Sequence, residues 1–151
     1  MTTSPASAPT VTTARLGVLV LLTGAVFGVL DALWLGVVSG SLYEDRIGQL
    51  LADQANVGAA AAFYVVYVLG LVHFVVRPGV GRASLSRALA DAAGFGLVTY
   101  ATFDLTSMAV FRDFPLEVVV VDMAWGALVC TATTAVVLGV LRRRWGAPTD
   151  R

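Results

Sequence analysis

Long apolar stretches alternate with short polar segments along this chain. The apolar stretches cover approximately residues 16–42, 57–76, 85–111 and 118–141. A helix needs about 20 residues to cross a hydrocarbon core of about 30 Å, and each stretch is long enough to do so. Strands are excluded because the stretches are too long and do not alternate polar with apolar positions. The pattern therefore predicts an all-α fold, an integral membrane bundle of four helices.

The segments outside these stretches fit this arrangement. Residues 1–14 are small and uncharged and contain two prolines, which predicts a disordered tail before a membrane domain at 15–145. Residues 146–151 form a short C-terminal tail. Residues 43–56 are polar and predict a loop. Arg77-Pro78-Gly79 predicts the end of the second helix, because proline interrupts a helix and glycine permits a turn.

Composition supports a membrane location. Hydrophobic residues make up 58% of the chain and charged residues only 13%, with a formal net charge of +0. A soluble domain carries about 25% charged residues, so these few charges could not cover a surface exposed to water. The expected partner is the lipid bilayer, and no nucleic-acid partner is expected.

The arginines predict the orientation of the helices. All ten basic residues are arginine, and eight of them flank the termini or the second loop, whereas the first and third loops have one each. Cytoplasmic segments carry the excess of positive charge, so both termini are predicted to lie in the cytoplasm. The cytoplasmic set is Arg15, Arg77, Arg82, Arg87, Arg142, Arg143, Arg144 and Arg151, and the outer pair is Arg46 and Arg112.

Four motifs carry a resemblance to a known family. They are FGVLDALWLG at 27–36, AAFYVVYVLGLVHFVVRPG at 61–79, GFGLVTYATFDLTSMAV at 94–110 and VVDMAWGALV at 120–129. Together they resemble the bacterial membrane protein family known as domain of unknown function 2177, over residues 16 to 141. The resemblance implies a multi-pass bacterial membrane protein and carries over no catalytic residue.

Three carboxylates interrupt the apolar stretches at a similar depth. They are Asp31, Asp104 and Asp122. Near the middle of a membrane helix an Asp costs roughly 2.5–3.5 kcal/mol, so such residues usually face the interior of a bundle. At 1.5 Å per residue, all three lie within about 15 Å of the outer surface. We therefore expect them to form one functional cluster, which at neutral pH holds a proton or a compensating cation.

Small and aromatic residues share helix faces with these acids. Gly24 and Gly28 lie on one stripe with Asp31, and their spacing predicts a close, inward-facing helix contact. Tyr100 lies one turn before Asp104.

Further aromatic residues are expected at the same depth. Tyr64 and Tyr67 lie on one side of the second helix. Trp34 follows Asp31 by three residues, and Trp125 follows Asp122 in the same way, so each indole is expected beside its own carboxylate. The predicted binding site comprises Asp31, Asp104, Asp122, Tyr64, Tyr67, Tyr100, Trp34 and Trp125.

Structural explanations compete with this functional one. Asp31 or Asp104 could form an ion pair with Arg46 or Arg112, and Asp122 could simply favour the positive end of its helix. The tyrosines and tryptophans could form an interfacial belt.

Other conspicuous residues are expected to lie outside the site. Asp91 is expected to pair with Arg87 one turn away. His73 is expected near the opposite membrane surface, Cys130 in helix packing, and Arg142–Arg144 as an anchor for the topology.

Three functions are compatible with these features. The first is binding or transport of a proton, a hard cation or a small cationic solute, where transport through so thin a wall would require a homodimer. The second is an enzyme or accessory factor that acts on lipid. The third is a structural assembly partner. The sequence shows no catalytic or cofactor motif, and its single histidine and single cysteine argue against the usual kind of zinc site.

Overall fold

The computed structural model describes residues 12–82 and 84–146, and these residues form helices joined by short connections. No strand occurs in this part of the chain, so the predicted all-α class is confirmed there. A π-helical turn at Leu35–Ser39 joins the first two helices, and another at Val72–Val76 joins the third and fourth. The α-helices are α1 (Thr13–Trp34), α2 (Gly40–Ile47), α3 (Val57–Leu71), α4 (Arg77–Val80), α5 (Leu85–Val110) and α6 (Leu116–Trp145).

Three helical segments in the described residues are long and apolar enough to cross a membrane. They are Thr13–Val37, Val57–Val80 and Leu116–Trp145. Helix α5 has 26 residues and is therefore of comparable length. Its charged residues Arg87, Asp91 and Asp104 are spread along its length, whereas those of α6 lie towards its two ends.

The first helix is longer than expected at both ends. Thr12 caps α1, because its Oγ1 accepts a hydrogen bond of 3.4 Å from the Arg15 backbone N–H. Residues 12–14 of the expected tail are thus the cap and first turn of a helix, while residues 1–11 and 147–151 lie outside the described residues. At its other end the helix continues through the π-helical turn to Ile47, so Tyr43 lies on a helix rather than in a loop.

The second predicted helix does not end at Pro78. The helical path continues through α4 to Val80, and the proline lies in the first turn of α4. Proline is tolerated there because its missing N–H falls at the start of a helix, where no partner within that helix is needed. The π-helical turn at Val72–Val76 lies between α3 and α4, and its wider hydrogen-bond spacing interrupts the α-helical pattern there.

Contacts at the helix ends show which ends lie together. The Arg15 guanidinium lies 5.0 Å from the centre of the Trp145 ring, and Arg142 Nη2 donates a 2.7 Å hydrogen bond to the Arg82 carbonyl oxygen. We call this end of the molecule, which holds the start of α1 and the end of α6, the terminal end.

At the other end, Arg46 of α2 forms a 2.8 Å ion pair with Glu117 of α6. Beside this pair, Phe114, Val118 and Val119 form a small cluster against the end of the first helical segment. We call this the Phe114 end. Successive long helical segments therefore run in alternating directions between the two ends.

Helices α5 and α6 share the most extensive helix contact, and two glycines make it possible. A Cβ atom on Gly96 would overlap the carbonyl group of Gly126. A Cβ atom on Gly126 would overlap the ring of Tyr100 and lie 2.9 Å from the Gly96 carbonyl oxygen. The two backbones touch at this crossing, which leaves no room for a larger residue.

The side of the molecule formed by α1 and α3 is more open. A Cβ atom on Gly24 would meet only Val68, at 3.7 Å, and one on Gly28 would meet nothing within 4 Å. The two glycines instead line a groove of about 590 Å³ between α1 and α3. The expected close contact at Gly24 and Gly28 is therefore wrong. The buried face of α1 is the neighbouring stripe of Leu19, Thr23, Phe27 and Asp31.

Candidate functional site

Asp31 lies on the last turn of α1 and is buried, with 6% of its surface exposed. The Tyr64 hydroxyl of α3 donates a 2.6 Å hydrogen bond to its Oδ2 atom. Trp125 Nε1 of α6 donates a longer one, of 3.4 Å, to its Oδ1 atom. Both carboxylate oxygens therefore have a donor, and the three helices meet at this residue.

Asp122 lies on the second turn of α6, and its partner comes from α2. The Tyr43 hydroxyl donates a 2.6 Å hydrogen bond to Asp122 Oδ1. Burial and this hydrogen bond raise the pKa of the Tyr43 phenol above its ordinary value, so the phenol keeps its proton and acts as the donor. The Trp34 indole interacts with the same hydroxyl.

The two tryptophans of the site stack face to face. The ring centres of Trp34 and Trp125 are 4.4 Å apart and the planes differ by only 7°. Each indole had been expected beside the carboxylate of its own helix. The Trp125 indole instead donates to Asp31 of α1, and the Trp34 indole interacts with the Tyr43 hydroxyl that donates to Asp122. The two Asp-x-x-Trp motifs thus interlock α1 with α6.

Asp104 has a different environment from the other two acids. It lies on α5 and is fully buried, and neither of its carboxylate oxygens has a hydrogen-bond partner among the described residues. Asp122 is close enough to interact with its charge. Asp104 does not, however, contribute to the wall of the cavity that the other two acids line.

Tyr67 and Tyr100 form the floor of the site. The Tyr67 hydroxyl lies 2.9 Å from Thr99 Oγ1 and 3.2 Å from Cys130 Sγ. The rings of Tyr67 and Tyr100 meet edge to face, with centres 6.3 Å apart. This contact joins α3 to α5 below the cavity.

These side chains surround a cavity of about 420 Å³. Phe63 of α3 and Phe103 of α5 stand at its rim and are 45% and 63% exposed, so the cavity opens between these two helices. Seven of the eight residues predicted for the site line it, and Asp104 is the exception. The complete lining is Asp31, Trp34, Leu35, Tyr43, Ala60, Phe63, Tyr64, Tyr67, Thr99, Tyr100, Phe103, Asp122 and Trp125.

Sequence reasoning missed several members of this wall. Tyr43 was assigned to a loop, and Phe63, Thr99 and Phe103 were not singled out. Thr99 and Phe103 lie four residues apart on the face of α5 that carries Tyr100 between them. Helical spacing could therefore have predicted that these two residues share a face with Tyr100. The position of Tyr43 could not be predicted in this way, because it depends on the π-helical turn.

The ion pairs of the structure differ from those considered as alternatives. Arg46 pairs with Glu117, and Asp31 is held by neutral donors. Asp91 forms an ion pair with Arg82, so the expected pair with Arg87 is wrong. The sequence separation favoured Arg87, but Arg82, which precedes α5 in the chain, reaches Asp91 instead.

The remaining residues set aside from the site do not line the cavity. His73 packs against Phe74 within its own helical segment. Cys130 is buried beside Tyr67 and so contacts the floor of the site, although it is not exposed to the cavity. Within residues 12–82 and 84–146, no three His, Cys, Asp or Glu side chains are grouped as they would be to hold a metal ion.

Apolar helices of membrane length, with carboxylates turned inward, define this chain as an α-helical membrane protein. The profile of a family described as predicted membrane protein, domain of unknown function 2177, matches residues 16–139. The chain belongs to this family, and the resemblance noted from its four motifs is confirmed. Comparisons with curated proteins and with solved structures give no match.

Proposed function

We propose that α5 also crosses the membrane, as the third span of a four-helix bundle with both termini in the cytoplasm. Support comes from its length of 26 residues and from its extensive contact with α6, which is itself a candidate span. The arginine-rich terminal end then faces the cytoplasm of a bacterial cell. The Phe114 end, with the cavity nearby, faces outward.

Single cysteines test this topology. The background is Cys130→Ser, which removes the native thiol. Asp53→Cys and Pro115→Cys should react with a membrane-impermeant maleimide in intact cells, whereas Ser84→Cys should react only after the membrane is permeabilised. Labelling of Ser84→Cys in intact cells would contradict the proposed orientation.

We further propose that the cavity binds a small organic cation, specifically an ammonium group. The observation that carries this proposal is the wall itself, in which Asp31 and Asp122 are surrounded by aromatic rings. The faces of tryptophan, tyrosine and phenylalanine attract ammonium groups, and the carboxylates supply the opposite charge. A volume of about 420 Å³ falls in the usual range for small-molecule sites, about 300–1,000 Å³.

The donor set favours an organic cation over a bare metal ion. A hard cation prefers several oxygen ligands around one point. Asp31 and Asp122 instead use oxygens to accept hydrogen bonds from Tyr64, Trp125 and Tyr43, and stacked indoles occupy part of the wall. Such a wall suits a ligand that combines positive charge with apolar surface.

A matched pair of ligands tests this proposal. Benzyltrimethylammonium should stabilise the purified protein in detergent against heat, whereas its uncharged isostere neopentylbenzene should have little effect. Asp31→Asn should weaken binding of the cation by roughly tenfold or more, since each tenfold loss corresponds to about 1.4 kcal/mol. Asp91→Asn is the control, because Asp91 is outside the cavity, and it should bind as the wild type does.

The same experiment distinguishes the alternatives. Equal stabilisation by both ligands would mean that the charge is not recognised, which would contradict the proposal. A structural assembly role predicts that Asp31→Asn lowers stability without any effect of either ligand. A short-chain phosphatidylcholine, which presents the same trimethylammonium group, shows whether a lipid headgroup is the preferred source. If the protein transports its ligand, four helices are too few to enclose a pathway through the membrane, and a homodimer would supply the additional helices.

A further inference from the structure

Asp104 is the one buried carboxylate of the site that the proposed binding role does not use. It is fully buried on α5, one helical turn beyond Tyr100 and adjacent to Phe103, both of which line the cavity. Within the described part of the chain, neither oxygen has a hydrogen-bond partner, and no basic side chain forms an ion pair with it. The titratable groups that face it are Asp122 of α6 and Tyr43 of α2.

This environment contrasts with that of the two acids on the cavity wall. Asp31 accepts hydrogen bonds from Tyr64 and Trp125, and Asp122 accepts one from Tyr43, so each has donors that can stabilise a negative charge. Asp104 has no such donor among the residues that the structure describes, and a buried charge without partners is costly. Next to the anion of Asp122, and without a cation in the cavity, the neutral acid is the form of Asp104 that this packing favours.

We propose that Asp104 is a proton-binding site whose proton is released when a cation binds in the cavity. This inference rests on the proposed binding of an organic cation. A cation near Asp122 cancels the charge that faces Asp104. The O–H bond of the Asp104 carboxyl group then breaks, its electron pair stays on the carboxylate, and the proton passes to water. One positive charge replaces another, so the buried cluster keeps the same total charge.

Reciprocity gives this exchange a measurable consequence. If cation binding expels the proton, then protons must weaken cation binding by the same linkage. Affinity for the cation should therefore increase as the pH rises through the range in which Asp104 loses its proton. The rim residues Phe63 and Phe103 carry no charge and should not contribute to this dependence.

The test measures proton release and binding together. Benzyltrimethylammonium is titrated calorimetrically into the purified protein in two buffers of different ionisation enthalpy, which reports the protons released. The wild type should release about one proton per bound cation. Asp104→Asn should still bind the cation, release almost none, and show an affinity that no longer depends on pH. Asp91→Asn is the matched control on the same helix and should behave as the wild type.

Each result has a distinct meaning. Wild-type binding without proton release, or unchanged release from Asp104→Asn, would overturn the proton-exchange role and leave the cation site intact. Absence of wild-type binding would instead refute the proposed function. Infrared spectroscopy tests the proton without any ligand, because a protonated carboxyl band should be present at neutral pH in the wild type. Its absence there would contradict the inference even if Asp104→Asn fails to fold.

Discussion

Two glycine pairs in this protein have opposite environments. Gly96 and Gly126 bring the backbones of α5 and α6 into contact, whereas Gly24 and Gly28 face an open groove between α1 and α3. The second pair has the spacing usually associated with close helix packing, yet the first pair makes the close contact. A small residue permits a close approach, but buried side chains on both helices determine where that approach occurs.

The comparison also distinguishes two halves of the molecule: α5 and α6 pack closely and form the firm half, whereas α1 and α3 leave open space between them and form the looser half. Helix α6 contributes Asp122 and Trp125 to the site and is supported along its length by α5. Helix α3 contributes Tyr64 and Tyr67 and is held on the cavity side by their hydrogen bonds and ring contacts. The cavity opens along α3, where fewer contacts have to break for a ligand to enter.

The largest expected effect is at the firm crossing. Gly96→Ala places a methyl group against the Gly126 backbone, which has no alternative position, so we expect a loss of roughly 3 kcal/mol or more, at or above the upper range for overpacking. Thermal unfolding in detergent measures this loss. Gly28→Ala is the matched control and should change stability by less than about 0.5 kcal/mol. Equal effects of the two substitutions would refute the distinction between the halves.

A smaller effect is expected on the looser side. Tyr64→Phe keeps the ring but removes the donor to Asp31 Oδ2, which should cost about 1–2 kcal/mol because a buried acceptor loses its partner. Binding of benzyltrimethylammonium should weaken in parallel, since α3 is less firmly held against α1. The comparison variant is Tyr67→Phe, which leaves Asp31 unchanged. If Tyr64→Phe alters neither stability nor binding, the hydrogen bond does not hold α3 in place.

Much of the site could be anticipated from simple helix geometry. An Asp in an apolar helix must turn away from lipid, and this alone predicted that Asp31 and Asp122 would face inward. Tyr64 and Tyr67 could be placed at the same depth by counting residues. That these side chains form a binding site stays a prediction, to be tested by the ligand experiments above.

Other features depended on information that a helical count does not contain. The depth and helix face of Asp104 predicted that it would line the cavity, but it does not. Whether it does depends on how α5 is rotated against α6, which the sequence pattern does not give. The partner of Asp91 depended on where Arg82, a residue outside α5, lies in the fold, and the reach of Trp125 to Asp31 depended on the crossing of α1 and α6. The position of Tyr43 depended on a local departure from α-helical geometry.

That departure, the π-helical turn at Leu35–Ser39, has a consequence for chain length in this region. A π-helical turn accommodates one more residue than the α-helical turn it replaces. Deleting Gly36, which has open space around it, would allow α1 and α2 to join as one regular helix. Helix α2 would then keep nearly its present rotation relative to α1, because the turn loses the one residue that widens it beyond the 3.6 residues of an α-helical turn. Tyr43 would still point towards Asp122, so family members that are one residue shorter here should keep this donor in a continuous α-helix.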